Sequence, residues 1–361
     1  MTNNFVYGIV FMVKIPYTFV ILVGKMPTIQ DVAKRAGVAP ITVSRVINNS
    51  GYASEETRRR VEAAIEELSY VPNTLARGLR SKRTNTLALV VTDIANPFFT
   101  LIARGVEDAA SASGFTVIYC NTDESEAKEE KYINILVQKQ VDGVLLVPAG
   151  NSSKSANFLH SNKVPLVLID RSVPGFQTDL VRCNSESGAY ELVKHLIDLG
   201  HKRIAAITGP HEVSTSEDRV SGYQHAMSEA GIENLASVYY GAFTQASGYE
   251  LTNQVLAQNP TPTAIFGANN FLSIGILKAL RDTHLKVPQD MAVVGFDDLP
   301  ESLIVDPILT VAAQPAYEMG QQATQLLLKR ISNDASETNQ EVILPTELIV
   351  RQSSGPPKMA R

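Results

Sequence analysis

The stretch that most constrains this chain is 28–83: TIQDVAKRAGVAPITVSRVINNSGYASEETRRRVEAAIEELSYVPNTLARGLRSKR. Ile29, Val32, Ala33 and Ala36 recur at i, i+3, i+4 and i+7, the apolar face of a short helix that opens at Thr28 and stops at Gly37. Pro40 suits the first position of a second helix. Its stripe of Val43, Val46 and Ile47 faces inward, which leaves Ile41, Thr42, Arg45 and Asn48 on the outer face. A third helix starts at Ser54 and is expected to bury Val61, Ala64, Ile65 and Leu68. Two short helices around a tight glycine turn, backed by a third, describe a helix-turn-helix.

Charge narrows what such a module touches. Residues 26–83 carry 10 Lys/Arg and 6 Asp/Glu, a net of +4, whereas residues 84–361 carry a net of −11. A basic segment on an acidic protein suggests a local polyanion footprint. A solvated helix face explains the same charge, because Arg58, Arg59 and Arg60 lie between Glu55, Glu56 and Glu62.

The words TIQDVAKRAGV, TVSRVIN, YVPN and LARGLRSKRT resemble the LacI family of bacterial transcription repressors, in the family's order and spacing. The resemblance runs from about residue 27 to about 352. It implies DNA contacts from Thr28, Pro40, Ile41, Thr42, Ser44, Arg45 and Asn48 in the headpiece. It also implies a hinge helix over 72–84, in which Asn73, Ala76 and Leu79 meet operator DNA and Leu79 wedges into the minor groove. Alone, that stretch is a marginal helix with Gly78 inside it, and an ordinary linker is the other reading. Ala39 departs from the family's pattern of a Ser-like cap, which costs about 1–2 kcal/mol where nothing replaces it.

A length of 361 residues predicts more than one core. The expected division is an apolar extension over 1–25, a helix-turn-helix domain over 26–71, the hinge and linker over 72–84, and an effector-binding and dimerisation body over 85–352. Residues 5–23 are nearly all apolar. A membrane anchor would be interrupted by Lys14 and Pro16, and a signal peptide would begin with basic residues. The reading adopted is a misplaced start, since the resemblance implies a beginning at Met26.

From residue 85 the pattern alternates. Apolar runs at 87–91, 116–120, 143–147 and 165–169 read as buried parallel strands separated by helices. A second set follows at 203–208, 237–240, 263–266 and 291–295, with a helix over 185–199 closed by Gly200. The fold class is therefore an all-α headpiece plus an α/β body of two doubly wound parallel sheets. The body resembles periplasmic sugar-binding proteins. That resemblance implies three crossings between lobes, near 183–184, 313–315 and 344–346. Lobe 1 is then about 85–183 and 315–344, and lobe 2 about 184–313 and 345–352.

Ligands of open α/β sheets bind beyond the carboxyl ends of the strands. Asn96, Phe98, Phe99, Asp170, Arg171, Phe243, Asn269 and Asp297 follow such ends; Arg219 opens the word RVSGY, and Gln314 lies at a crossing. A sugar offers apolar ring faces and a belt of hydroxyls, which aromatic walls and planar polar side chains hold. These ten residues resemble the pocket of ribose-binding proteins. Singly, Asp170–Arg171 reads equally as a surface ion pair, and Phe98 and Phe99 as core. Asn270, where many family members have Asp, departs from the pattern beside this pocket.

No phosphate-loop, zinc-protease or nucleophile-elbow motif is present, and the six histidines have no ligand spacing. No enzyme, cofactor or metal is expected. Cys120 and Cys183 sit in apolar runs and read as buried free thiols of a reducing cytoplasm. The expectation is a cytoplasmic homodimer, apart from any membrane, on pseudo-palindromic operator DNA, responding to ribose or a related sugar, with a purine- or other-sugar-responsive regulator of the same family as the alternative. An extracytoplasmic receptor would explain the pocket and leave 28–83 unexplained.

Overall fold

The computed structural model describes residues 27–71, 83–299, 308–332 and 338–357. The chain divides into two compact units, Met1–Arg77 and Gly78–Arg361. In the first, α1 spans Ile29–Ala36, α2 Pro40–Ile47 and α3 Glu55–Glu67. Thr28 and Asp31 form a reciprocal capping box at the start of α1, with Thr28 N donating to Asp31 Oδ2 at 2.8 Å. Gly37 closes α1 in the left-handed region at φ 65°, where a side chain would be strained. Pro40 opens α2, and Ala39 supplies no side-chain cap. Ser54 caps α3 through Thr57 N.

Val32, Ala33, Ala36, Val43, Val46, Val61 and Ala64 form the core of this unit. Ile29, Ile47, Ile65 and Leu68, expected inside, pack on its rim and stay half-buried. Three helices this short enclose a single layer of side chains, so the outer members of each stripe remain at its margin.

The second unit holds two six-stranded sheets. In the first, β1 is Thr86–Val91, β2 Thr116–Asn121, β3 Gly143–Leu146, β4 Leu166–Ile169, β5 Asp179–Cys183 and β11 Glu341–Leu344, in the order β2-β1-β3-β4-β5-β11. In the second, β6 is Ile204–Thr208, β7 Ser237–Tyr240, β8 Ala264–Gly267, β9 Ala292–Phe296, β10 Thr310–Ala313 and β12 Glu347–Ile349, in the order β7-β6-β8-β9-β10-β12. The orders are the same pattern used twice. Every pairing is parallel except β12 on β10. Strand order reverses between β1 and β3 and again between β6 and β8, the switch points beyond which a crevice opens.

Helices cover both sheets. Lobe 1 carries α4 (Pro97–Ala112), α5 (Glu126–Gln138), α6 (Lys154–Ser161) and α11 (Ala316–Ser332). Lobe 2 carries α7 (Ser185–Asp198), α8 (Ser214–Glu229), α9 (Gln245–Leu256) and α10 (Asn270–Asp282). α4 and α11 touch backbone to backbone. A Cβ at Gly105 would stand 2.1 Å from Tyr317 O, and one at Gly320 would stand 2.2 Å from Ile102 O.

The central strands are buried as their apolar runs require, but β2 and β7 lie at sheet edges. Ile118 and Tyr119 of β2 are 38% and 42% exposed, so apolar composition there does not mean burial. The chain passes between sheets after β5, after β10, and between β11 and β12. Cys120 and Cys183 are free and buried. Among the described residues no helix is long and apolar enough to cross a membrane.

Candidate functional site

A cavity of about 300 Å³ lies between the two sheets, at the carboxyl ends of their strands. Nine of the ten expected residues line it: Asn96, Phe98, Phe99, Asp170, Arg171, Arg219, Phe243, Asn269 and Asp297. Gln314 does not. It lines an adjoining recess with Phe98 and Asp297, and its Nε2 donates to Asp297 Oδ1 at 2.5 Å. Gln314 therefore reaches the cavity only through Asp297.

Asp170 follows β4 and Asp297 follows β9, the fourth strand from the edge in each sheet. Each backbone N–H joins the next strand, Asp170 to Val181 O and Asp297 to Ala312 O. Each residue is left-handed, at φ 68° and 66°, and each is buried. Burial raises both carboxyls above the usual range, Asp297 to about 6, against the opposing pull of Arg219. Arg219 rises from α8 with its guanidinium 3.9 Å from the centre of the Phe296 ring and its Nη1 donating to Ala268 O at 2.7 Å.

Asp170 and Arg171 are not a surface ion pair. Both are buried, and Arg171 Nε stands 3.8 Å from Asp170 Oδ2. Arg171 forks onto Glu124 at 2.6 and 2.8 Å and also donates to Pro148 O. Of its three nitrogens, Nε lacks a hydrogen-bond partner. Asn96 is likewise committed. Its Oδ1 caps α4 through Phe98 N, and its Nδ2 donates to Asn270 Oδ1. Asn269 caps α10 through Leu272 N. Phe98 and Phe99 meet edge to face at 5.1 Å and serve as core and wall together.

Thr92, Asp93, Asp123, Glu124, Thr215, Ala242 and Thr244 also line the cavity and were not anticipated. The strand-end rule reaches several of them: Thr92 follows β1, Asp123 and Glu124 follow β2, and Thr215 lies one turn before Arg219 on α8. Among the described residues, Thr92 Oγ1, Asp170 Oδ1, Arg171 Nε and Arg219 Nε are buried on this lining without a hydrogen-bond partner. Burying an unpaired polar atom is costly, and these four belong to residues that line one cavity.

In the headpiece, the outer face of α2 presents Ile41 at 51% exposure and an exposed Arg45, with Pro40 exposed at its start. Thr42, Ser44 and Asn48 are half-buried, and Asn48 Nδ2 is tied to Ser44 O at 2.8 Å. Thr28 Oγ1 is held by Asp31. Asn73, Ala76 and Leu79 lie outside the described residues, as does the extension over 1–25.

A helix-turn-helix followed by a two-sheet body with a polar cleft defines a ligand-responsive DNA-binding regulator. The family model for bacterial regulatory proteins of the lacI family matches residues 28–73, and that for a periplasmic binding protein-like domain matches 193–354. The ribose operon repressor of Halalkalibacterium halodurans is 39% identical over 91% of this chain and 97% of its own length. The transcriptional repressor PurR of Histophilus somni (strain 2336) is 38% identical over 91% and 99%. The lac repressor dimer bound to operator and the anti-inducer ONPF superposes with a TM-score of 0.81 at 28% identity, covering 92% of this chain and 100% of that one. The chain belongs to the lacI family of bacterial regulatory proteins. It is a DNA-binding transcriptional repressor, not an enzyme, with that family's helix-turn-helix and sugar-binding-protein-like body.

Proposed function

We propose that this repressor acts in the cytoplasm as a homodimer on a pseudo-palindromic operator and is controlled by ribose or a closely related aldose in the cleft. In that reading Ile41, Thr42 and Arg45 meet base edges in the major groove, while Thr28, Pro40, Ser44 and Asn48 seat the helix on the backbone. Asn73, Ala76 and Leu79 of the 72–84 hinge meet the minor groove. The body over 85–352 closes on the sugar and so resets the two hinges.

The observation that carries the sugar reading is the set of unpartnered buried atoms on Thr92, Asp170, Arg171 and Arg219 around a space walled by Phe98, Phe99 and Phe243. Hydroxyls both donate and accept, so one sugar answers the carboxylate and the two guanidinium N–H groups together. About 300 Å³ suits a small ligand. A nucleobase is the second reading, favoured by the PurR relative, which is nearly as identical as the ribose repressor.

Calorimetric titration of the full chain with ribose and with hypoxanthine separates them. Heat with ribose, weakened tenfold to a hundredfold in Asp297→Asn, is expected, because a hydrogen bond to a charged group is worth roughly 1.5–3 kcal/mol. Heat with hypoxanthine alone would sink the sugar reading. Operator affinity without ligand should stay near wild type in that variant.

A further inference from the structure

The charges around the cavity bear on what the effector can carry, a step that rests on reading the cleft as the effector site. Asp93, Asp123, Glu124, Asp170 and Asp297 line it, against Arg171 and Arg219. Arg171 is matched by Glu124, and Asp123 by Lys128. That leaves Arg219 facing two buried carboxylates, Asp170 and Asp297, both of which feel its charge. Asp93 adds a further negative charge with no ion pair among the described residues.

Anions are often received at open helix N-termini. Here α4 and α10 already hold the side-chain oxygens of Asn96 and Asn269 in those positions. α8 lacks a side-chain cap but carries Glu217 in its first turn. Among the described residues both cations of the lining are therefore matched in charge, Arg171 by Glu124 and Arg219 by Asp170 and Asp297, although Arg171 Nε and Arg219 Nε lack a hydrogen-bond acceptor and Asp170 Oδ1 lacks a donor.

We propose that the cleft selects the unphosphorylated form of its effector and rejects the phosphate ester of the same molecule through this excess of carboxylates. A phosphate monoester brings a charge of about −1.5 to −2 near neutral pH. In a poorly solvated cavity that charge meets Asp170 and Asp297 across weak screening. A free hydroxyl at the same place donates to the open oxygen.

The test is calorimetric titration of the full chain with two matched pairs, ribose with ribose 5-phosphate and inosine with inosine 5′-monophosphate. The ester of whichever parent binds is expected to bind at least tenfold more weakly, about 1.4 kcal/mol. Glu124→Gln removes one negative charge and frees the Arg171 fork, so the ester-to-parent affinity ratio should move at least tenfold toward the ester. Damage to the fold lowers both affinities and leaves that ratio in place. An ester that binds as tightly as its parent overturns the inference and leaves the effector site standing. Binding of inosine alone, with its monophosphate rejected, overturns the ribose reading and supports the charge rule. An unmoved ratio in Glu124→Gln overturns the charge explanation, and silence from all four ligands overturns both readings.

Discussion

Asn96 of lobe 1 and Asn270 of lobe 2 exchange two hydrogen bonds across the cleft, Asn96 Nδ2 to Asn270 Oδ1 at 3.0 Å and Asn270 Nδ2 to Asn96 Oδ1 at 2.9 Å. Both side chains are buried. Ser172 N donates to Ser214 Oγ at 3.1 Å, and the Arg171 guanidinium lies 5.4 Å from the centre of the Phe243 ring, so the lobes also meet at the other end of the cavity. The Asn pair is the only one of these contacts in which both partners donate and accept.

Asn270→Asp is expected to loosen this closure. An ionised Asp accepts from Asn96 Nδ2 but sets its second oxygen against Asn96 Oδ1, which is already accepting from Phe98 N. One buried acceptor is then left facing another, a loss of about 1–3 kcal/mol. Small-angle scattering of the free protein should show a larger radius, and effector affinity should fall about tenfold or more. An unchanged radius with unchanged affinity would remove the pair from any role in closure.

Effector binding should depend on pH through Asp297. Its carboxyl is raised from 3.8 to about 6 by burial. The folded protein therefore holds this proton where the unfolded chain has lost it. The group's contribution to stability is full below pH 3.8 and is lost as pH rises through about 6. A ligand that donates to the ionised carboxylate should bind more tightly as pH rises through the same window and release up to one proton. Calorimetry at pH 5.5 in two buffers of different ionisation heat measures that number; zero protons released would exclude Asp297 as an ionised acceptor.

His201 works with the opposite sign. Its Nε2 meets Gly355 O at 2.7 Å and its Nδ1 meets Thr263 Oγ1 at 2.8 Å. A carbonyl only accepts, so Nε2 carries the proton and Nδ1 accepts from the hydroxyl. Burial lowers the imidazole below 6.5. The stability it contributes is present above that value and is lost as pH falls through the depressed folded value. His201→Asn should flatten the acid side of a melting-temperature profile below pH 6.5 relative to wild type, and parallel profiles would place the acid sensitivity elsewhere.

Arg45→Ala should flatten discrimination among operator variants by about 1–3 kcal/mol, the worth of one bidentate base contact. The motive is its exposed place on the outer face of α2. Equal losses on operator and random DNA, measured at one salt concentration, would make Arg45 a phosphate contact instead.

The parts of this architecture that were legible in the sequence are those written locally. Eight apolar runs became eight strands; six of them are central parallel strands, which must be apolar along their length, and β2 and β7 are edge strands whose apolar runs are only partly buried. β5, β10, β11 and β12 had no such run: β5, β11 and β12 carry charged residues, and β10 is the four-residue word TVAA. Asp179 opens β5 and is almost fully buried, yet it is matched by Arg330, 151 residues away. The same limit applied in the cleft. Strand ends pointed to Asp170, Asn269 and Asp297, but nothing local announced that Glu124 would occupy Arg171 or that Asn96 would turn toward Asn270. Those bonds span 47 and 174 residues and exist only once the sheets are assembled.

The left-handed backbone at Asp170 and Asp297 changes how an alanine scan of the cleft must be interpreted. Asp and Asn tolerate that conformation through local side-chain hydrogen bonding, whereas alanine opposes it by roughly 1–2 kcal/mol. Alanine at either site therefore perturbs the main chain as well as deleting the acid, and its loss of affinity overstates the carboxylate. Asparagine keeps the turn and removes the charge, and glycine keeps the turn and removes the side chain. The gap between glycine and alanine at 297 would measure, in the folded protein, how much of an apparent hot spot is backbone conformation.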